Sequence, residues 1–287
     1  MSRMLPGLVG LLSMLMTASV TTTRAADMPI KAPSLTPPSW TGLYLGAQGG
    51  GAWGGSVSYT GNDLLSALLA NGTAGFPGDQ PLVSPYSLNR SGPVGGLEVG
   101  YNWQASPNIL LGVEADISFA AVSGTATGTS NLALAPVIRL QSTTSREDTE
   151  WYGTLRGRLG WLATPNLLVF GTGGLAYGRT SVSATDAFNG FVLGVGGGFT
   201  FNCPINGGPC FAGAGAAERT GWTAGGGTEL RLDAHWTAKV EYLFVDLGTQ
   251  QLTVTAIAPT PGTAPSSFTA AFRDQMNVVR VGLNYRF

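Results

Sequence analysis

The sequence predicts an all-β fold, an eight-stranded antiparallel up-and-down transmembrane β-barrel with long extracellular loops. Three observations predict it. Apolar and polar residues alternate with period two in runs of about ten residues. Tight turns and long Gly/Ser/Thr-rich stretches take turns between those runs. Aromatic residues gather at the two ends of the runs and avoid their middles.

The 287 residues include 43 Gly, and only 11% are charged while 44% are hydrophobic. A typical soluble domain carries about 25% charged residues, so this chain is charge-poor without being apolar enough for helical spans; its mean hydropathy is +0.17. The 15 Lys plus Arg against 16 Asp plus Glu leave a net charge of −1, which offers no attraction to nucleic acid.

Residues 1–25 read as a signal peptide: Arg3, an apolar stretch over Leu5–Val20, then Thr23-Arg24-Ala25 as a small-x-small cleavage site. The alternative, a retained transmembrane helix, needs about 20 apolar residues, more than this stretch has. Residues 26–39 (ADMPIKAPSLTPPS) form a Pro-rich periplasmic leader. The barrel domain is expected over 40–287.

Eight runs are expected: 41–57, 92–104, 109–122, 149–162, 167–182, 219–232, 236–248 and 275–287. The last shows the logic. Val279, Val281, Leu283, Tyr285 and Phe287 share one face, and Arg280, Asn284 and Arg286 share the other. Tight turns fall at 105–108 (ASPN), 163–166 (ATPN) and 233–235; the other connections are long. Trp103–Gly112 and Trp161–Gly171 repeat one pattern 58 residues apart, a unit too long and irregular for a soluble solenoid. Phe188–Phe201 either extends a hairpin or adds a strand pair, which leaves ten strands as the alternative. Residues 62–70 contain a possible short helix.

Aromatic placement decides which face meets lipid. Trp151 and Trp161 share a face ten residues apart, hence ~25 Å along a tilted strand, which is the height of a lipid-facing band. Trp103, Trp161, Trp236 and Phe287 form an inner girdle beside the short turns. Trp151 and Trp222, with Phe119, Tyr177 and Phe244, form an outer one. The other face then points into the lumen, carrying Glu98, Glu114, Asp116, Glu229 and Glu241 against Arg156, Arg158, Arg231, Lys239, Arg280 and Arg286. Eight strands leave room for little more than their own side chains, so these charges must pair. A salt-bridged plug is expected; a gated pore lined by both signs is the alternative.

Three segments resemble a known family. Trp40-Thr-Gly-Leu-Tyr-Leu-Gly46, Lys239-Val-Glu-Tyr-Leu-Phe-Val-Asp-Leu-Gly248 and Val279–Phe287 are similar to strands of the alphaproteobacterial outer-membrane immunogenic proteins, porin-like barrels with an OmpA-type fold. That resemblance implies a location in the outer membrane of a Gram-negative cell, surface-exposed loops and a structural or weakly porin-like role. It also implies that Phe287 is read by the barrel-assembly machinery.

Catalytic chemistry has little to stand on. The Gly runs at 171–174 and 225–227 open no helix within a βαβ unit, so no nucleotide site is expected. The one histidine, His235, falls in a periplasmic turn without a serine partner, so neither hydrolase nor metal or haem chemistry is expected, and no cofactor. Cys203 and Cys210 close a Gly/Pro/Asn-rich loop (CPINGGPC) and suggest a disulfide, with a metal site the less supported reading. The expected partners are outer-membrane lipid and the assembly machinery; a monomer is expected, with an oligomer as the alternative. The functional expectation is a structural, surface-exposed barrel, with a small-solute channel or an adhesive, ligand-binding surface as alternatives.

Overall fold

The computed structural model describes residues 39–60, 86–134, 137–192, 199–203, 209–257 and 267–287. The signal peptide, the leader up to residue 38 and the possible helix at 62–70 lie outside the described residues. Nine strands follow in chain order: β1 (Gly42–Thr60), β2 (Tyr86–Gln104), β3 (Ile109–Leu134), β4 (Val137–Thr164), β5 (Leu167–Val192), β6 (Phe199–Cys203), β7 (Phe211–Arg231), β8 (Trp236–Ala256) and β9 (Ser267–Arg286).

Eight of them form the wall. Each of β1, β2, β3, β4, β5, β7, β8 and β9 pairs antiparallel with the next, and β9 returns to β1. Closure removes the exposed edges that an open sheet presents, which the hydrocarbon core of a membrane does not tolerate. β6 pairs only with the end of β5, Val192 facing Phe199 and Phe188 facing Cys203. The described parts of 188–203, the end of β5 and β6, therefore pair beyond the ring, and the ring itself has eight strands.

Each of the eight wall strands lies where its alternation predicts, but most continue past the expected ends. The extra length is at the outer end of the barrel: β3 runs to Leu134, β4 begins at Val137, β5 ends at Val192 and β9 begins at Ser267. Several expected ends fall at β-bulges or irregularities, where the ladder shifts register and the side-chain parity can switch. The bulges fall at Gly54/Ser56 on β1, Phe119/Val122 on β3, Thr149/Trp151 on β4 and Asp246/Thr249 on β8. On β4 the buried set is Tyr152, Thr154, Arg156 and Arg158 below the bulge, then Thr149, Glu147, Ser145 and Thr143 above it. A strict period-two reading breaks there although the strand does not.

These bulges share one level, beside Trp53, Phe119, Trp151 and Phe244. The β7–β8 ladder is also interrupted there, between the pairs Ala212↔Thr255 and Trp222↔Asp246. At the opposite end the hairpins are tight: Ser106 and Ile109 exchange backbone hydrogen bonds, and the Asp233 carboxylate accepts from the amides of His235 (2.7 Å) and Trp236 (2.8 Å). Those two amides hold the Asp233 carboxyl below its ordinary range.

A charged lumen as the candidate functional site

Outward from the wall stand Leu97, Val113, Leu155, Leu159, Leu175, Val240 and Val281, all exposed. Trp103, Trp161, Trp236 and Phe287 stand exposed at the short-turn end, and Phe119, Tyr177 and Trp222 at the other. Within the girdles the aromatics brace one another: Trp236 and Phe287 each lie 5.2 Å edge-on from Tyr285, and Trp151 meets Tyr177 at 6.0 Å. His235 lies in the expected turn, stacked on Tyr285. This is the surface an apolar solvent requires: aliphatic in the middle, amphipathic rings at both interfaces.

The lumen is filled in layers. At the short-turn end a stopper forms around Trp40, which is 1% exposed. Its ring packs with Leu110, Leu162, Leu168 and Phe170, and its indole N–H donates to Pro165 O at 3.1 Å. The guanidinium groups of Arg231 and Arg286 lie 4.5 and 5.2 Å from the ring centre. Both donate to Ser39 O, at 3.1 and 2.7 Å. Cations on an indole face are attracted by its quadrupole.

Above the stopper is the main network. Arg156 donates to Glu241 at 2.6 Å, to Asp116 at 3.0 Å and to Glu114. Arg280 bridges the same pair from β9, reaching Glu241 at 2.8 Å and Asp116 at 3.0 Å. Lys239 Nζ donates to Glu98 at 2.6 Å and to Glu114 at 3.2 Å. Tyr44 Oη donates to Glu114 at 2.5 Å. Arg158 pairs with Glu229 and lies 3.8 Å above the Phe170 ring, while Glu114 is 3.9 Å from it. Arg156 thus serves both Glu114 and Asp116, and Arg158 turns to Glu229 on β7. That choice depends on which strand closes the ring beside β4 and β5, which local sequence does not carry.

All eleven ionisable residues expected in the lumen face it and are buried. Glu98, Glu114, Asp116, Glu229, Glu241, Arg156, Arg158, Lys239 and Arg280 join the network; Arg231 and Arg286 join the stopper. The sequence reading missed Trp40, Arg90, Glu147 and Asp274. Arg90 and Asp274 share the parity of Glu98 and Arg280 and stood just outside the expected runs. Glu147 follows a bulge, so its parity pointed the wrong way. Trp40 precedes its run, and alternation assigns it no face.

Glu98, Glu114 and Glu241 bring one carboxylate oxygen each to within 4.8 Å of the others, the donor set of a hard cation. Lys239 Nζ stands among them, 3.6 Å from Glu241 as well as bonded to the other two. The chain supplies the cation itself, and a metal ion would have to displace it.

Above this network the lumen turns apolar, with Ala52, Val94, Val122, Leu243, Val245, Met276 and Val278 in one cluster. A second charged group follows. Arg90 donates to Asp274, to Thr149 at 2.8 Å and lies 3.1 Å from Glu147. A second apolar cluster, including Val57, Val254, Phe211, Phe268 and Phe272, closes the outer end. Cys210 belongs to it and is disulfide-bonded, in a chain whose only other cysteine is Cys203.

Comparison with known proteins agrees with this architecture. Residues 29–287 match the family model described as an outer membrane protein beta-barrel domain. The chain is 32% identical over 280 residues to the 31 kDa outer-membrane immunogenic protein of Brucella melitensis biotype 1, covering 93% of this chain and 94% of that one. The same values hold for the namesake protein of Brucella suis biovar 1. Among solved structures, the outer membrane protein OprG of Pseudomonas aeruginosa is 11% identical, with 88% and 98% of the two chains covered and a TM-score of 0.41. Ail, the attachment invasion locus protein of Yersinia pestis, is 8% identical over 86% and 99%, with a TM-score of 0.33. The chain belongs to the outer membrane protein beta-barrel family and resides in the outer membrane.

Proposed function

We propose that this protein is a structural, surface-presenting barrel whose lumen is closed to solutes, and that it is not an enzyme. One observation carries the reading: four cations and five carboxylates are buried across the lumen between Arg158 and Arg280, bonded strand to strand. Buried ion pairs add little net stability over apolar packing, but removing one partner leaves an uncompensated charge. Such a network acts as a set of cross-braces over the lumen. Among the described residues, apolar clusters lie above it and the Trp40 stopper below it, which supports a closed lumen. The strands then carry their outer hairpins past the outer girdle, where they face the outside of the cell. The 31 kDa immunogenic relatives support a surface-exposed, antigen-like role. The sole histidine sits in the short turn after β7, stacked on Tyr285, which supports the non-enzymatic reading.

The test is single-channel conductance of the refolded protein in a planar bilayer, beside Arg156→Ala and Arg158→Ala. The proposal expects a silent parent and leak currents in the variants. Reproducible openings of the parent would overturn it and place the protein among solute channels.

A further inference from the structure

The bulges of β1, β3, β4 and β8 and the interrupted β7–β8 ladder lie at one level, directly beyond the outer girdle. A belt of bulges weakens the hydrogen-bonded ladder around most of the circumference at that height. The second charged group sits inside the belt. Arg90 is threaded between Gly55, whose φ is +100°, and Gly124, where an added Cβ would stand 2.6 Å from Arg90 atoms in both cases. Gly248, at φ +82°, marks the β8 side of the seam.

We propose that the part of the barrel outside the belt is a chamber that opens along the β7–β8 seam, with Glu147 as its proton-controlled latch. Arg90 directs Nη1 to Thr149 and Nη2 to Asp274 and Gln275 O, while its buried Nε meets no acceptor. Glu147 is fully buried, and neither of its oxygens accepts a hydrogen bond, although Arg90 Nη1 lies 3.1 Å away. The other charged groups around it are Asp274 on β9, which also accepts from Thr180 of β5 at 2.6 Å, Arg219 on β7, and Asp148, which faces outward to Arg146. Asp246 on β8 joins Arg219 and is 3.5 Å from Arg273. The β1 and β3 positions facing Arg90, Gly55 and Gly124, carry no charge.

A neutral Glu147 suits this enclosure and an ionised one does not. Burial first, and then Asp274, push its carboxyl up to about 8, against the pull of Arg90. The sign follows: the closed chamber holds the proton that the open one releases, so closure weakens as pH rises from the ordinary carboxylate range towards 8. The seam is where water reaches Glu147 with the fewest ladder bonds to break. Below the belt Glu98, Glu114, Asp116, Glu229 and Glu241 each have a bonded cation.

Hydrogen exchange of the refolded full-length mature protein in bilayers, corrected for the intrinsic rate at each pH, tests the latch. Segments 211–221 and 247–256 are compared with 151–161 at pH 7 and pH 9. The expected result is an opening equilibrium that rises roughly tenfold in the two seam segments, none in 151–161, and no rise in Glu147→Gln. Asp274→Asn, which frees Arg90 for Glu147, reduces the rise as a second variant. A flat wild-type profile, or the same rise in Glu147→Gln, overturns the proposal.

Discussion

The membrane-embedded half and the outer half of this barrel are built from the same strands with opposite polarity. On β9, Val279, Val281 and Leu283 face out below the belt while Arg280, Asn284 and Arg286 face in; above it Arg273 faces out, and Phe272, Ala270 and Phe268 are buried. β4 shows the outward change too: Leu155, Leu159 and Trp161 give way to Arg146, Asp148 and Glu150. The physical reason is the solvent. Lipid accepts aliphatic side chains and rejects charge, so charge retreats to the lumen and pairs there. Water reverses that choice, and the outer half packs like a soluble barrel, on buried apolar surface. The bulges sit where the inversion occurs, switching the parity of β1, β4 and β8 so that each strand can exchange its faces.

The comparison breaks first where charge is deepest. Arg156→Leu leaves Glu114, Asp116 and Glu241 short of a shared cation and is expected to cost about 3–5 kcal/mol, read as a lower urea midpoint in vesicles. Phe272→Ala should cost about 3 kcal/mol by opening a cavity in the outer cluster, with the loss confined to exchange above the belt. If both variants lower the stability of both halves equally, the two halves are one cooperative unit and the contrast fails. Reduction of the Cys210 disulfide should cost about 2 kcal/mol on the loop-entropy account, again only in the outer half, visible as faster proteolysis there while the band between the girdles keeps its protection. The smallest effect belongs to Asp233. Its carboxyl is held low by two turn amides, so its stabilisation is present above the ordinary Asp range and fades as pH falls through and below it. Exchange of the His235 and Trp236 amides should therefore accelerate on acidification, and Asp233→Asn should blunt that dependence.

The girdled part of the wall was legible because lipid imposes one rule on every residue that faces it. Period-two alternation therefore located the eight strands, and their inward parity located the eleven lumen charges. It failed at the belt for a related reason: above Trp151 the outward residues become polar, the bulge moves Glu147 to the opposite parity, and the pattern dissolves into what reads as loop. Arg90 and Asp274 were lost at the same boundary, each one or two residues beyond an expected strand end.

By itself the amino-acid sequence determined the barrel class, the face each strand turns to lipid, and the need for buried charges to be neutralised; whether 188–201 added strands to the ring was left to the pairing of β5 with β6. Only the tertiary structure decided the partners: Arg158 with Glu229, Lys239 among three carboxylates, Trp40 between two arginines, and Arg90 between Gly55 and Gly124. Alternation is a property of one strand and its solvent, so it can be read locally. Pairing depends on register and closure across strands up to 247 positions apart, as Arg286 and Ser39 are, and those distances exist only once the ring has closed.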